Sequence, residues 1–289
     1  MFEKLLVPLD GSPLAERILA SLEPLLLRPG TQVQIVRVVP GTREKHDEKE
    51  HADALRYLRT LEVRLSSQGV NVGGHLLVGP DPADEIVQFA AREGASVIYL
   101  ATHGRTGLVR AALGSVAEKV LRTADRPVVL VSPWAPAAPI QFKKVLVPLD
   151  GSVRSDEALA VASEISKHYG SEIVLLHVEE FGALDPVVAV ASEHEFATRL
   201  FERATRALDG ARVRTITKSG VLVAPYVLDA IREEMPDVVL MTTHGRTGLA
   251  RVAFGSVTEA VVRRSPVPVL VKRSVPALAP KAAALMGAP

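Results

Sequence analysis

The stretch ATHGRTGLVRAALGS, residues 101–115, is written almost a second time as TTHGRTGLARVAFGS at residues 242–256. Thr102 to Leu108 recur unchanged as Thr243 to Leu249. Working outward from the glycines, the rest of the chain repeats in the same order. KLLVPLDGS at 4–12 returns as KVLVPLDGS at 144–152, IVRVVP at 35–40 aligns with LLHVEE at 175–180, and Gly79 aligns with Gly220. RPVVLVS at 126–132 aligns with VPVLVKR at 267–273. A period this long marks a duplicated domain rather than a short-repeat solenoid. The expected division is 1–138 and 139–273, joined through the Pro- and Ala-rich SPWAPAAPIQF at 132–142, with 274–289 as a flexible tail that has little to bury.

Each copy alternates strand and helix. LLVPL is an aliphatic run without polar alternation, as a strand buried on both faces requires. Asp10-Gly11-Ser12 turns the chain, Ser12 caps a helix, and Pro13 stands at its first position, where a missing N–H costs nothing. VQIVRVV, HLLV, SVIYLA and PVVLV read as the next four strands. Helical spacing places Leu55, Leu58, Leu61 and Leu65 on one side of a helix over 46–68; Pro82 and Ser115 open two more. Strands separated by helices predict a parallel sheet with right-handed crossovers, so the fold class is α/β: two tandem Rossmann-like domains, each a doubly wound unit.

Composition narrows the function. Apolar residues make up 47% of the 289 residues, charged residues 23%, and the net charge is +1. That is an ordinary globular profile, with no basic footprint for nucleic acid or an anionic membrane and few aromatics (4%) for base stacking. With no cysteine, disulfides, thiolate catalysis and Cys-based zinc sites are excluded. No apolar run reaches the roughly 18 residues of a membrane span. The opening MFEKLLVPLDGS reads as a strand rather than a signal peptide, and a cytoplasmic location is expected.

In open parallel sheets, ligands bind beyond the carboxyl ends of the strands. Asp10 and Asp150 stand after the first strand of each copy, Val38 and Val178 after the second, and the glycine segment after the fourth. Gly104 and Gly107, with Gly245 and Gly248, permit close backbone approach to a ligand. Gly114-Ser115-Val116 and Gly255-Ser256-Val257 form helix starts with free N–H groups at the positive end of the dipole. Arg105 and Arg246 add a mobile cation. The plain structural alternative is a strand-to-helix turn with a serine cap, but a bare turn has no need of Arg-Thr-Gly-Leu in both halves. No Walker A pattern is present, no G-x-G-x-x-G follows the first strand, and PLDGS stands where S-G-G-x-D-S would be in ATP pyrophosphatases. His103 and His244 read as surface-loop residues without an acidic partner or a serine nucleophile. His46 and His51 lack the spacing of a zinc helix.

PLDGS after a strand, H-G-R-T-G-L-x-R-x-x-x-G-S-V, and a closing PV-x-V strand together resemble the universal stress protein family, and they do so twice, over 1–133 and 142–273. The resemblance implies five-stranded parallel sheets in the order 3-2-1-4-5 and ATP, with Mg²⁺, as the bound cofactor. It assigns Asp10 and Asp150 to the adenosine, Val38 and Val178 to the adenine, and Gly104, Gly114-Ser115, Gly245 and Gly255-Ser256 to a glycine signature. The first glycine of that signature is Ala101 in one copy and Thr242 in the other. A β-branched residue disfavours positive φ, so the two sites are expected to be unequal. The implied role is a sensor or a slow hydrolase in stress response or signalling, without a catalytic residue. A nucleotide-free interaction module is the alternative. Pairing of the two fifth strands, VVLV at 128–131 and VLVK at 269–272, would make an internal pseudo-dimer; association into a homodimer is left open.

Overall fold

The computed structural model describes residues 2–26, 28–42, 45, 47–103, 113–180, 186–243 and 255–273, and for 186–193 the backbone alone. The first half runs β1 (Lys4–Pro8), α1 (Pro13–Leu26), β2 (Gln32–Pro40), α2 (Glu48–Ser67), β3 (Val72–Gly79), α3 (Pro82–Arg92), β4 (Val97–Ala101), α4 (Ser115–Thr123) and β5 (Val128–Val131). The second repeats the order: β6 (Lys144–Pro148), α5 (Val153–Tyr169), β7 (Glu172–Glu180), α6 (Pro186–Ala207), β8 (Arg212–Gly220), α7 (Val223–Glu234), β9 (Val238–Thr242), α8 (Ser256–Arg264) and β10 (Val269–Lys272). All strands within a half are parallel, in the order 3-2-1-4-5.

The halves share one ten-stranded sheet, because β5 and β10 pair antiparallel, Leu130 opposite Val269 and Val128 opposite Val271. Side chains alternate along each buried strand, so the aliphatic runs feed two cores. Leu5, Val7 and Val129 join α1, α2, α5 and α6 on one face; Leu6, Val128 and Leu130 join α3, α4, α7 and α8 on the other. Each core crosses the domain boundary. The connection is itself packed: Ala135, Ile140 and Phe142 are buried, and Arg17 of α1 donates to the carbonyls of Pro133 (3.2 Å) and Ala135 (3.1 Å). Phe142 adopts a positive φ of 53°, stacks on Tyr169 (ring centroids 4.9 Å) and packs tilted against Phe2 (5.0 Å), tying the halves together at the strand N-termini.

Antiparallel joining sends the carboxyl ends of the two strand sets to opposite edges of the sheet. Each half therefore presents its own cleft, facing away from the other. Among the described residues, no helix is long and apolar enough to cross a membrane.

Candidate functional site

The first wall of each cleft is the turn after the first strand. Asp10 Oδ1 accepts the Ser12 N–H (2.9 Å), and Ser12 Oγ caps α1 by accepting from Ala15 N–H (3.2 Å). In the second half, Asp150 Oδ1 accepts from both the N–H (3.0 Å) and the hydroxyl (2.7 Å) of Ser152, which caps α5. Gly11 and Gly151 both sit at φ +81°, a region closed to most side chains. A Cβ there would meet Arg37 Nη1 in the first half and the Phe196 ring in the second. The aspartates thus hold their turns with one oxygen while lining the clefts.

The opposite wall forms where the chain leaves the fourth strand and later enters a helix. Gly114 N–H donates to Thr102 O (2.9 Å), and Gly255 N–H to Thr243 O (2.8 Å). A Cβ on Gly114 would lie 2.8 Å from that Thr102 carbonyl oxygen, so glycine is required here by backbone packing. Gly114 and Gly255 occupy the N-cap positions of α4 and α8, and no side chain bonds their first amides. By contrast, α2 is capped by Asp47, α3 by Asp81 and α5 by Ser152, while α7, after Leu222, is uncapped as well. The uncapped amides and the dipole leave both helix starts suited to an anion.

Between these walls lies a cleft of about 310 Å³ in the first half and one of about 200 Å³ in the second. The first brings together three segments: Asp10 in the turn after β1, Val38 within β2 rather than after it, and Gly114, Ser115 and Val116 at the start of α4. The second does the same with Asp150, Val178, Gly255, Ser256 and Val257. Gly104, Arg105, Gly107, Gly245, Arg246 and Gly248 lie outside the described residues, as do His244, His46 and the tail 274–289.

Ala101 and Thr242 both end their strands in regular pairing, opposite Val131 and Lys272. Neither has a positive φ, a property confined among described non-glycine residues to Phe142 and Met235. The backbone strain expected for Thr242 is therefore absent, and what it changes is side-chain bulk. His103 also differs from its reading as a surface-loop residue. It is half-buried, its Nδ1 bonds Thr102 Oγ1 (2.9 Å), its Nε2 is buried, and it lies between the cleft and the connecting segment.

A brace beside the first cleft is not evident from the sequence pattern. Lys119, one turn into α4, donates to Asp84 Oδ2 (2.7 Å) and Asp81 Oδ2 (2.9 Å) at the start of α3. Asp81 meanwhile accepts the N–H groups of Ala83 and Asp84. The Lys119 hydrogen bond, with those amides, holds the Asp81 carboxyl below the usual carboxylate range, and the two aspartates raise the Lys119 ammonium. Leu222, Pro225 and Ala260 occupy the matching places in the second half, so its cleft lacks the brace. Comparing the copies at these three positions was the signal available.

A sequence model of the universal stress protein family matches residues 1–132 and again 141–273. The chain belongs to the universal stress protein family. A universal stress protein of Mycobacterium tuberculosis is 31% identical over 224 residues, spanning 73% of this chain and 74% of that protein. One of Methanocaldococcus jannaschii is 30% identical over 139 residues, 45% of this chain and 81% of its own length. A solved universal stress protein from Archaeoglobus fulgidus superimposes with a TM-score of 0.72 at 24% identity, covering 94% of this chain and 99% of its own; at that identity it speaks for the fold alone.

Proposed function

We infer that this universal stress protein binds ATP in the cleft of its first half, as a nucleotide-responsive component of a stress or signalling pathway with at most slow hydrolysis. The observation that carries the reading is the meeting, in one cleft, of a carboxylate at Asp10, an apolar wall at Val38 and an uncapped helix start at Gly114 to Val116. The chemistry divides accordingly. The aliphatic walls, Val36, Ile86 and Leu100 among them, suit the face of an adenine base. Asp10 suits ribose hydroxyls, which donate to a carboxylate. The amides of α4 and the Ser115 hydroxyl suit phosphate oxygens. A cleft of about 310 Å³ falls within the size of small-molecule sites, roughly 300–1,000 Å³. No group of three His, Asp or Glu side chains among the described residues is arranged for a metal, so Mg²⁺ would come with the triphosphate.

Titration calorimetry with ATP on the wild type and Ser115→Glu tests the reading. Ser115 is exposed at the first position of α4, where a glutamate favours the helix yet opposes a phosphate by charge. Wild type should bind, and the variant should lose at least about tenfold, which is about 1.4 kcal/mol. Equal affinity would remove the phosphate site. An absence of both heat and thermal shift in millimolar ATP would favour the interaction module.

A further inference from the structure

Most lining positions of the two clefts correspond in the fold, so their differences bear on what each can hold. Three alanines line the first: Ala15 in the first turn of α1, Ala101 at the end of β4, and Ala117 in the first turn of α4. Their counterparts in the second are Ser155, Thr242 and Thr258. Every exchange adds a hydroxyl, and two of those hydroxyls turn to the backbone. Ser155 Oγ donates to Ser152 O (2.8 Å), and Thr258 Oγ1 donates to Thr242 O (2.9 Å). Both side chains are buried, as is Thr242. What Ser155 and Thr258 add to the cleft is bulk rather than donors, and Thr242 and Thr258 are β-branched and stiff at χ1. The space is about 310 Å³ in the first cleft and about 200 Å³ in the second, where Leu176 and Met241 also stand in place of Val36 and Leu100; the second lies below the usual small-molecule site of roughly 300 Å³. The Thr258–Thr242 bond crosses from the helix start to the strand end, so the added bulk of these two residues stands at the end where phosphates would lie.

We propose that Ser155, Thr242 and Thr258 close the second cleft to nucleoside triphosphates, so that each chain takes up a single ATP, in its first half. The inference rests on the nucleotide reading of the first cleft. It makes the duplicated domain a scaffold that completes the sheet and core, with a cleft left for a smaller ligand or none.

The test is the stoichiometry of ATP binding to the full chain by calorimetry. Wild type should take one ATP per chain, and the triple variant Ser155→Ala, Thr242→Ala, Thr258→Ala should take two. Adding Ser115→Glu should weaken the first-half site at least about tenfold in both proteins and leave the second-half ATP of the triple variant in place. Thr242→Val, which keeps the bulk and removes the hydroxyl, should stay at one. Thr258→Ser, which keeps the hydroxyl beside Thr242 O, in place of Thr258→Ala supplies an opened cleft if the triple variant fails to fold. Two ATP per wild-type chain, one per correctly folded opened variant, or opening by Thr242→Val would each overturn the proposal. Binding to none of these proteins would remove the nucleotide reading and this inference with it. One ATP per wild-type chain with an opened variant that gains no second leaves that reading standing and removes only this inference.

Discussion

Asp81 is both the N-cap of α3 and, through Lys119, the link between α3 and α4. Replacing it with alanine should cost about 1 kcal/mol for the lost cap. The ion pair adds little, since its carboxylate is partly exposed and screened by solvent. The sign with pH follows from the direction of each shift. A carboxyl held low in the folded state contributes stability above its unfolded pKa of about 3.9, lost as pH falls through the folded value. A raised ammonium contributes below its unfolded pKa of about 10.4, lost as pH rises through the folded one. Thermal melts of wild type and Lys119→Met should therefore differ by only a small margin near neutrality and converge at both extremes. Gly114→Ala is expected to destabilise by about 1–3 kcal/mol, because the new Cβ meets the Thr102 carbonyl oxygen 2.8 Å away; urea unfolding checks it. That result also bears on what was legible at this scale. Asp10, Gly114 and Ser115 were readable because they recur beside the same neighbours in both copies. Part of the glycine's recurrence, however, reflects packing. Lys119 was hard to read because its partners lie 35 and 38 residues away, and only its exchange for Ala260 in the second copy marks it.

Elements were legible where their pattern was unmixed. The runs LLVPL, SVIYLA and PVVLV are buried on both faces, and their lack of alternation is what a central parallel strand requires. The outer strand β8, RVRTITKSG, is harder to read because charge and apolar residues alternate on it. Its cations pair instead with carboxylates of neighbouring elements, Arg214 with Glu172 (3.3 Å) and Lys218 with Glu233 (2.7 Å). The connection 132–142 read as a boundary, yet it holds four buried residues, Ser132, Ala135, Ile140 and Phe142, the last three packed in a core drawn from both halves. The β5–β10 pairing is the element on which the molecule turns. Leu270, fully buried opposite Val129, should cost about 2–5 kcal/mol when changed to alanine, measured by denaturant unfolding.

At the scale of the whole molecule, both cores run through the shared sheet, so the halves should unfold together. Calorimetric melting should show one transition in the wild type. Leu270→Asp, which buries an unpaired charge in the shared core, should split or collapse it. The same pairing directs the clefts to opposite edges, so a ligand in one cannot touch the other. The family's duplicated plan was readable from the repeat alone. The inequality of the clefts was only half readable: Thr242 stood out, but for a backbone strain that is absent, while Ser155 and Thr258 drew no notice because helix first turns accept Ser, Thr and Ala alike. The most direct test of the central claim is a crystal structure of the full chain grown with ATP. Nucleotide between Asp10 and the start of α4 at Ser115, in the first half, is the predicted result; a first cleft without nucleotide in crystals saturated with it would contradict the account.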